Sequence, residues 1–409
     1  MDSSSEFRVA DDQILGLLAV GDGIIDQSQL DRLIERQAIL YAQGQDLPFV
    51  ELLRREHTID EPAIQGLEER GTRLGGYQLI CKLGKGGMGS VYRAVRLRDD
   101  EQVAVKLLAR KRSSDKKFLK RFIQEARMLA RIQHPHVVRS LEFDKDRGYY
   151  FLAMEFVPGE TLVDRIEREQ TLPERDVLEI GRAIALGLAA AWKQGLVHRD
   201  IKPENILLGK NGLVKISDFG LAKDRTGGLK TTVGITFGTP HYMSPEQVQG
   251  DADLDTRCDL YALGATMYHA LGGRFPYDGE SDVEIMVKHL EEKPVPLREI
   301  NPEISLPAAT LIASLMERER DDRPSAPDEV VAEIDQILDG TWSPRKRAPL
   351  TRRIMKSTHD AGRDLSGRIR HVSGRVAESP RARTIIYGAA FLAVLAFAVH
   401  LVAYYWLRQ

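Results

Sequence analysis

The segment His198-Arg199-Asp200-Ile201-Lys202-Pro203-Glu204-Asn205, followed by Asp218-Phe219-Gly220, constrains this chain more than any other feature. It sets a carboxylate able to act as a base, an amine able to hold phosphate and two oxygen ligands for a hard cation in the order that phosphoryl transfer from a nucleotide requires. A lone Asp-Phe-Gly is an ordinary surface turn. Both segments together, with a glycine-rich loop and an Ala-Val-Lys strand upstream, are not a chance pairing.

The chain has 409 residues, 43% hydrophobic and 29% charged, which is too long for one ordinary domain and enough to bury a large core. Its net charge of −2 predicts no general affinity for polyanions, nucleic acid included. With only Cys81 and Cys258, no disulfide framework or structural zinc is expected, and the catalytic part belongs in a reducing compartment. The polar, acidic start Met1-Asp2-Ser3-Ser4-Ser5-Glu6 does not read as a secretory signal.

Upstream of the leading motif, Gly84-Lys85-Gly86-Gly87-Met88-Gly89-Ser90-Val91 lies between two strand-like runs. Its glycines let a hairpin bring backbone N–H groups against phosphate oxygens. Val103-Ala104-Val105-Lys106 reads as the next strand, and Glu125, on a helix over about 116–131, is the carboxylate expected to fix the Lys106 ammonium. Met154-Glu155-Phe156-Val157 follows an apolar strand.

With these motifs, residues 77–338 resemble a bacterial eukaryotic-like (Hanks-type) serine/threonine protein kinase. The resemblance implies an α+β, two-lobed fold using ATP and Mg2+. It implies Asp200 as base, with Lys202, Lys106 and Glu125 completing the catalytic set, and Asn205 and Asp218 as metal ligands. Nucleotide contacts would come from Leu83, Gly84, Lys85, Gly86, Gly87, Met88, Gly89, Val91, Ala104, Lys106, Glu155 and Val157. Arg199 would read a phosphorylated activation segment, with Thr231 and Thr232 as the favoured phosphosites. Glu246 needs a buried partner, for which Arg323 suits, and Asp259 should anchor the catalytic loop. A pseudokinase scaffold is the rival reading, opposed by the retention of Lys106, Glu125, Asp200, Asn205 and Asp218. A small-molecule kinase is opposed by the intact Gly238–Glu246 stretch, a peptide-docking ledge.

Residues 1–75 read as a small all-α interaction module. Apolar residues at helical spacing are interrupted by Gly21-Asp22-Gly23, Gly44 and Pro48, and Asp26-Gln27-Ser28-Gln29 offers capping residues. Ile24-Ile25-Asp26 with Leu30 is echoed by Thr58-Ile59-Asp60 with Ile64. The pattern resembles the helical domain at the N-terminus of secretion and pilus-assembly ATPases.

At the other end, residues 339–383 form a basic linker with about a dozen Lys and Arg from Arg345 to Arg383. Leu365, Ile369, Val372 and Val376 recur in it at helical spacing, fitting either a helix on anionic headgroups or a solvated linker. No charge occurs from Ile385 to Leu407, a length that spans roughly 35 Å as a helix. A single C-terminal transmembrane helix is therefore expected over 384–407, a tail anchor with the basic flank and the catalytic part on the cytoplasmic side, in a bacterial inner membrane by resemblance. Expected partners are protein substrates, a ligand of the helical module, the membrane, and a second copy for trans-autophosphorylation.

Overall fold

The strand Glu101–Leu108 is buried on both faces from Val103 onward, which a sheet permits only when each face is covered. In the computed structural model, which describes residues 3–43, 45, 47–56, 59–86, 89–109, 114–219 and 240–344, it is β4 of a six-stranded antiparallel sheet. The strands are β1 (Arg73–Leu74), β2 (Tyr77–Gly86), β3 (Gly89–Arg96), β4, β5 (Ser140–Asp146) and β6 (Tyr149–Glu155), in the order β1-β2-β3-β4-β6-β5. Alternation along β4 divides its side chains. Val103, Val105 and Leu107 join one apolar cluster with Tyr77, Leu79, Tyr149 and Phe151, whereas Ala104 joins a separate cluster with Val138 and Met154.

What covers the first face is a helix from the N-terminal segment. Helices α1 (Ser3–Gly21), α2 (Gln27–Ala42), α3 (Phe49–Arg55) and α4 (Glu61–Arg70) have a core of their own, including Leu30, Leu33, Phe49, Leu53, Ile64 and Leu67. Helix α1 serves two cores. Its Ile14 and Leu18 pack with the sheet cluster, and its Ala19 and Val20 with the helical one. Asp26 caps α2, accepting the Gln29 N–H at 2.7 Å while Gln29 Oε1 accepts the Asp26 N–H at 2.8 Å. The repeat seen in the sequence is a helix-entry device: Ile25 before the cap and Leu30 inside α2, then Ile59 and Ile64 around Asp60 at α4, all pack in the helical core.

Past the six-stranded sheet and α5 (Lys116–Leu129), a second sheet joins β7 (Gly159–Thr161), β8 (Ile206–Gly209) and β9 (Val214–Ile216). The rest is helical: α6 (Leu162–Glu169), α7 (Glu174–Lys193), α8 (Pro245–Gln249), α9 (Thr256–Gly272), α10 (Asp282–Glu291), α11 (Leu297–Ile300), α12 (Leu306–Leu315) and α13 (Pro327–Leu338). Helix α9 is buried along most of its length, which makes it the hydrophobic axis of this half. The Glu246–Arg323 pairing expected from the sequence is present and bidentate at 2.6 and 2.8 Å. The Arg323 guanidinium also donates to the carbonyls of Arg257, Glu317 and Arg318. With its hydrogen bonds satisfied, the buried cation fixes α8 against the chain around 317–323.

Among the described residues no helix is long and apolar enough to cross a membrane. The expected linker at 345–383 and span at 384–407 lie outside them, as do Gly87, Met88, Gly220, Thr231 and Thr232.

Candidate functional site

Between the two sheets, the loop before β8 and the end of β9 gather the motif residues. The loop hangs from α9: Asp259, 1% exposed, accepts the His198 N–H at 2.8 Å and the Arg199 N–H at 2.7 Å. Arg199 and Asp218 both adopt left-handed backbone, with φ of 65° and 52°. Non-glycine residues stay there only when their surroundings over-determine them, and such strain gathers at functional sites. The Asp259 carboxylate does this for Arg199, and the Gln247 amide adds a bond to the Arg199 carbonyl at 3.0 Å.

His198 ties the loop to the second motif. Its Nδ1 accepts the Asp200 N–H at 3.2 Å, so Nε2 carries the proton and donates to the Ser217 carbonyl at 2.9 Å. The imidazole also packs on Phe219, 4.5 Å between ring centroids. Asn205 donates from Nδ2 to the Asp200 carbonyl at 2.8 Å and to Asp200 Oδ2 at 3.1 Å, and Lys202 Nζ lies 3.9 Å from the same oxygen. Asp200 and Asn205 are thus hydrogen-bonded to each other with Lys202 at ion-pair distance, while Asp218 follows Ser217, whose N–H donates to the Asn205 carbonyl at 2.8 Å.

Lys106 reaches it from the even-numbered face of β4. Its Nζ pairs with Asp218 Oδ1 at 2.7 Å, a short contact with the ammonium shielded from water. Among the described residues its ion-pair partner is Asp218 and not Glu125, which sits half-buried on α5. The metal-ligand candidate, and not the helix carboxylate expected from the sequence, holds the ammonium here.

Ala104, Val138 and Met154 form an apolar cluster with Val91, Phe156, Val157 and Leu207 packed against it, the apolar slot of the kinase reading. Glu155 and Val157 flank the crossover between the sheets, half-buried. Leu83, Gly84 and Lys85 are exposed on β2, and Gly86 pairs with Gly89 at the mouth of the hairpin. Gly89 has a φ of 152°, and a Cβ there would stand 1.7 Å from the Leu107 carbonyl oxygen, so only glycine fits. Sequence reasoning missed Leu207 and Val138 as floor and wall of the slot. The apolar run Ile206-Leu207-Leu208 directly after Asn205 carried the signal for the first.

The buried groups under the site set an acid limit on stability. Burial pushes His269 down to about 4 and His289 down to about 3, each bonded through Nδ1 to a tyrosine hydroxyl at 2.8 Å. The unfolded chain, with histidines near 6.5, therefore binds protons the folded chain refuses, and this stability, full above pH 6.5, drains away as pH falls toward 4. Asp259 acts the other way: burial raises it to about 7 against the pull of its two N–H donors, so the folded state keeps a proton there that the unfolded state releases above about 4. The two histidines outweigh the one carboxyl. Chemical denaturation should show stability falling from pH 6.5 to 4.5 with net uptake of roughly one proton or more on unfolding. Replacing both histidines by Gln should flatten that slope, although burial also lowers His134 and His241.

A protein kinase domain family model matches residues 77–342. The chain is similar to serine/threonine-protein kinase PrkC of Bacillus subtilis, 33% identical over 278 residues covering 68% of this chain and 43% of that one. It is 37% identical to serine/threonine-protein kinase pkn3 of Myxococcus xanthus over 64% of this chain and 50% of the relative. With serine/threonine-protein kinase PknL of Mycobacterium tuberculosis it shares 39% identity over 53% of this chain and 54% of the relative. The chain therefore spans about half the length of these curated relatives. The crystal structure of the Mycobacterium tuberculosis PknI kinase domain superimposes with a TM-score of 0.53 at 26% identity, covering 64% of this chain and 96% of that domain.

Proposed function

Because the chain belongs to the protein kinase family, on its bacterial serine/threonine branch, we propose that residues 77–338 transfer the γ-phosphate of ATP to serine and threonine hydroxyls of proteins. The observation that carries the reading is the Asp200–Asn205 hydrogen bond with Lys202 at 3.9 Å from the same carboxylate, together with the Asp218 carboxylate held by Lys106.

The residues suit the cofactors. Asn205 spends its Nδ2 on Asp200, which leaves its amide oxygen as a neutral ligand that with the Asp218 carboxylate would make a hard oxygen pair of the kind Mg2+ takes. When bound, Mg2+ would supply positive charge that offsets the negative charge of the phosphates. The apolar slot suits a purine, and the Gly86–Gly89 hairpin suits phosphates. Asp200 orients the substrate hydroxyl and receives its proton, and needs no raised pKa because positioning and charge neutralisation dominate a loose transition state. Lys202 offsets charge on the migrating group. Asp218 would serve as a metal ligand and Lys106 as a phosphate ligand, with Glu125 as the carboxylate the kinase reading assigns to Lys106.

Regulation is part of the proposal. Arg199, held beside Asp200, would meet a phosphate on Thr231 or Thr232 and order the activation segment. Residues 384–407 would anchor the chain in a membrane with the catalytic part cytoplasmic, and two anchored copies would gain effective concentration for trans-phosphorylation. Incubating the full chain in detergent with ATP and Mg2+ and mapping phosphosites by mass spectrometry tests this. Phosphate on Thr231 or Thr232 is expected in the wild type and absent in Asp200→Asn. An unmodified wild type that still binds nucleotide would favour a scaffold.

A further inference from the structure

Strand β9 carries an ammonium where lysine seldom sits. Lys215 is 7% exposed, and a buried lysine needs a partner. Its Nζ lies 3.0 Å from Glu155 Oε2 and donates to the Val137 carbonyl at 3.4 Å. The same Glu155 oxygen accepts the Arg139 N–H at 3.2 Å. Glu155 is the last residue of β6 with a ladder partner, Val103 on β4. Beyond it the crossover Phe156-Val157-Pro158 has no regular structure before β7.

At the other end of the pair, β9 is fastened to the 136–138 segment. The Ile216 N–H donates to the His136 carbonyl at 3.0 Å, the Val138 N–H donates to the Ile216 carbonyl at 2.9 Å, and the His136 imidazole meets the Val214 carbonyl at 2.9 Å. Asp218 stands just past β9. One ion pair therefore joins the strand that leads to the metal-ligand candidate with the strand that enters the crossover. It fixes from both sheets the start of a three-residue link whose own contacts include apolar packing and the Arg93 guanidinium over the Phe156 ring.

We propose that Lys215 is a positioning residue for the nucleotide, acting through Glu155 to hold the crossover backbone against the purine. This rests on the kinase reading above. The ammonium touches neither purine nor phosphate. Its effect belongs in base affinity and not in the transfer step, because the Glu155 and Val157 backbone groups must be presented in one geometry before a base can bind without an ordering cost.

The test uses adenosine, which reads the slot without metal or transfer, titrated calorimetrically into the full chain in detergent. Lys215→Met should weaken adenosine binding about five-fold or more, the size of a coupling near 1 kcal/mol. Under assay it should raise KM for ATP with a smaller change in kcat and none in KM for a peptide substrate, and Lys215→Arg should retain most of the affinity. Glu155→Gln, isosteric and at a more exposed position, carries the test if Lys215→Met folds poorly. The double variant should be no weaker than either single one, since both remove the same link. Unchanged adenosine affinity in both single variants, or a loss that merely follows the unfolded fraction, overturns the inference and leaves the kinase reading intact. A wild type that binds neither adenosine nor ATP overturns the kinase reading itself.

Discussion

Replacing Asp200 by Asn should lower kcat for phosphoryl transfer by about 10²–10⁴-fold, with nucleotide affinity and denaturation midpoint close to wild type. The substitution is isosteric. Asn205 Nδ2 can keep its bonds to the residue 200 carbonyl and to a side-chain oxygen, and the loop remains held through the His198 and Arg199 amides on Asp259. What disappears is the negative charge that accepts the hydroxyl proton. Lys202, 3.9 Å away, would then face a neutral amide and be freer to hold a phosphate oxygen, so ground-state binding has no reason to weaken. A fall in kcat without a rise in KM for ATP is the signature of an interaction made only in the transition state. Asp259→Ala offers a contrast. Two buried N–H groups would lose their acceptor and Arg199 would lose what keeps it left-handed, so activity and stability should fall together. If Asp200→Asn kept a tenth of wild-type kcat, Asp200 would not be the base.

The proximity of the motif residues was legible because they lie in contiguous segments whose spacing is fixed by the turns around them. His198 through Asn205 is one loop, and β9 delivers Asp218 to it, so order in sequence translates into proximity. The Glu246–Arg323 pair could be read because a buried carboxylate demands a cation and Arg323 was the candidate at hand. Pairings between distant segments were not legible. Residue order offered Glu125 as the partner of Lys106, and nothing in it says that Asp218 holds the ammonium. Lys215 reads as one more polar residue of a short strand until its register with Leu207 and its approach to Glu155 are seen. Nor does the sequence signal that α1 is shared between two cores. Ile14, Leu17 and Leu18 read as one apolar stripe, yet Ala19 and Val20, continuing round the helix, face a different neighbour. An apolar stripe says that a surface is covered, not by what.

The second large effect lies at that shared helix. Arg147→Met should destabilise the chain by up to about 3–5 kcal/mol, the cost of removing one partner of a buried pair. The half-exposed Arg70, 3.0 Å from Asp22 Oδ2, is the carboxylate's other cation. Arg147 donates from Nε and Nη2 to Asp22 Oδ2 at 2.9 and 2.6 Å, with both side chains less than a tenth exposed. Its Nη1 caps the carbonyls of Gly71 and Arg73 at 2.9 and 3.0 Å, where the helical segment passes into β1. The residue also bears a backbone cost. With Gly148 it forms the two-residue turn between β5 and β6, both at positive φ, 46° and 73°, where asparagine and glycine are the usual occupants. Arginine persists in a left-handed conformation costing roughly 1–2 kcal/mol because its side chain reaches Asp22. The loss should not be confined to the turn. Gly21, at the end of α1, lies so close that a Cβ would meet the Arg147 carbonyl oxygen at 2.2 Å, and the Tyr149 hydroxyl donates to the Leu17 carbonyl at 3.0 Å. Loosening Asp22 therefore frees the end of α1 that sets Ile14 and Leu18 on the sheet. Urea denaturation should show a single transition for wild type. Arg147→Met should shift its midpoint down, and Asp22→Leu with Arg147→Met should recover part of the loss, since an apolar pair avoids the stranded charge. If Arg147→Met instead matched wild type within 0.5 kcal/mol, roughly the scatter of ordinary surface substitutions, the ion pair would be incidental. The helical segment would then be a passenger on the sheet. With the loss as expected, α1 is a structural part of the catalytic half, and a partner pulling on residues 3–70 would pull on β6, the strand that ends at Glu155.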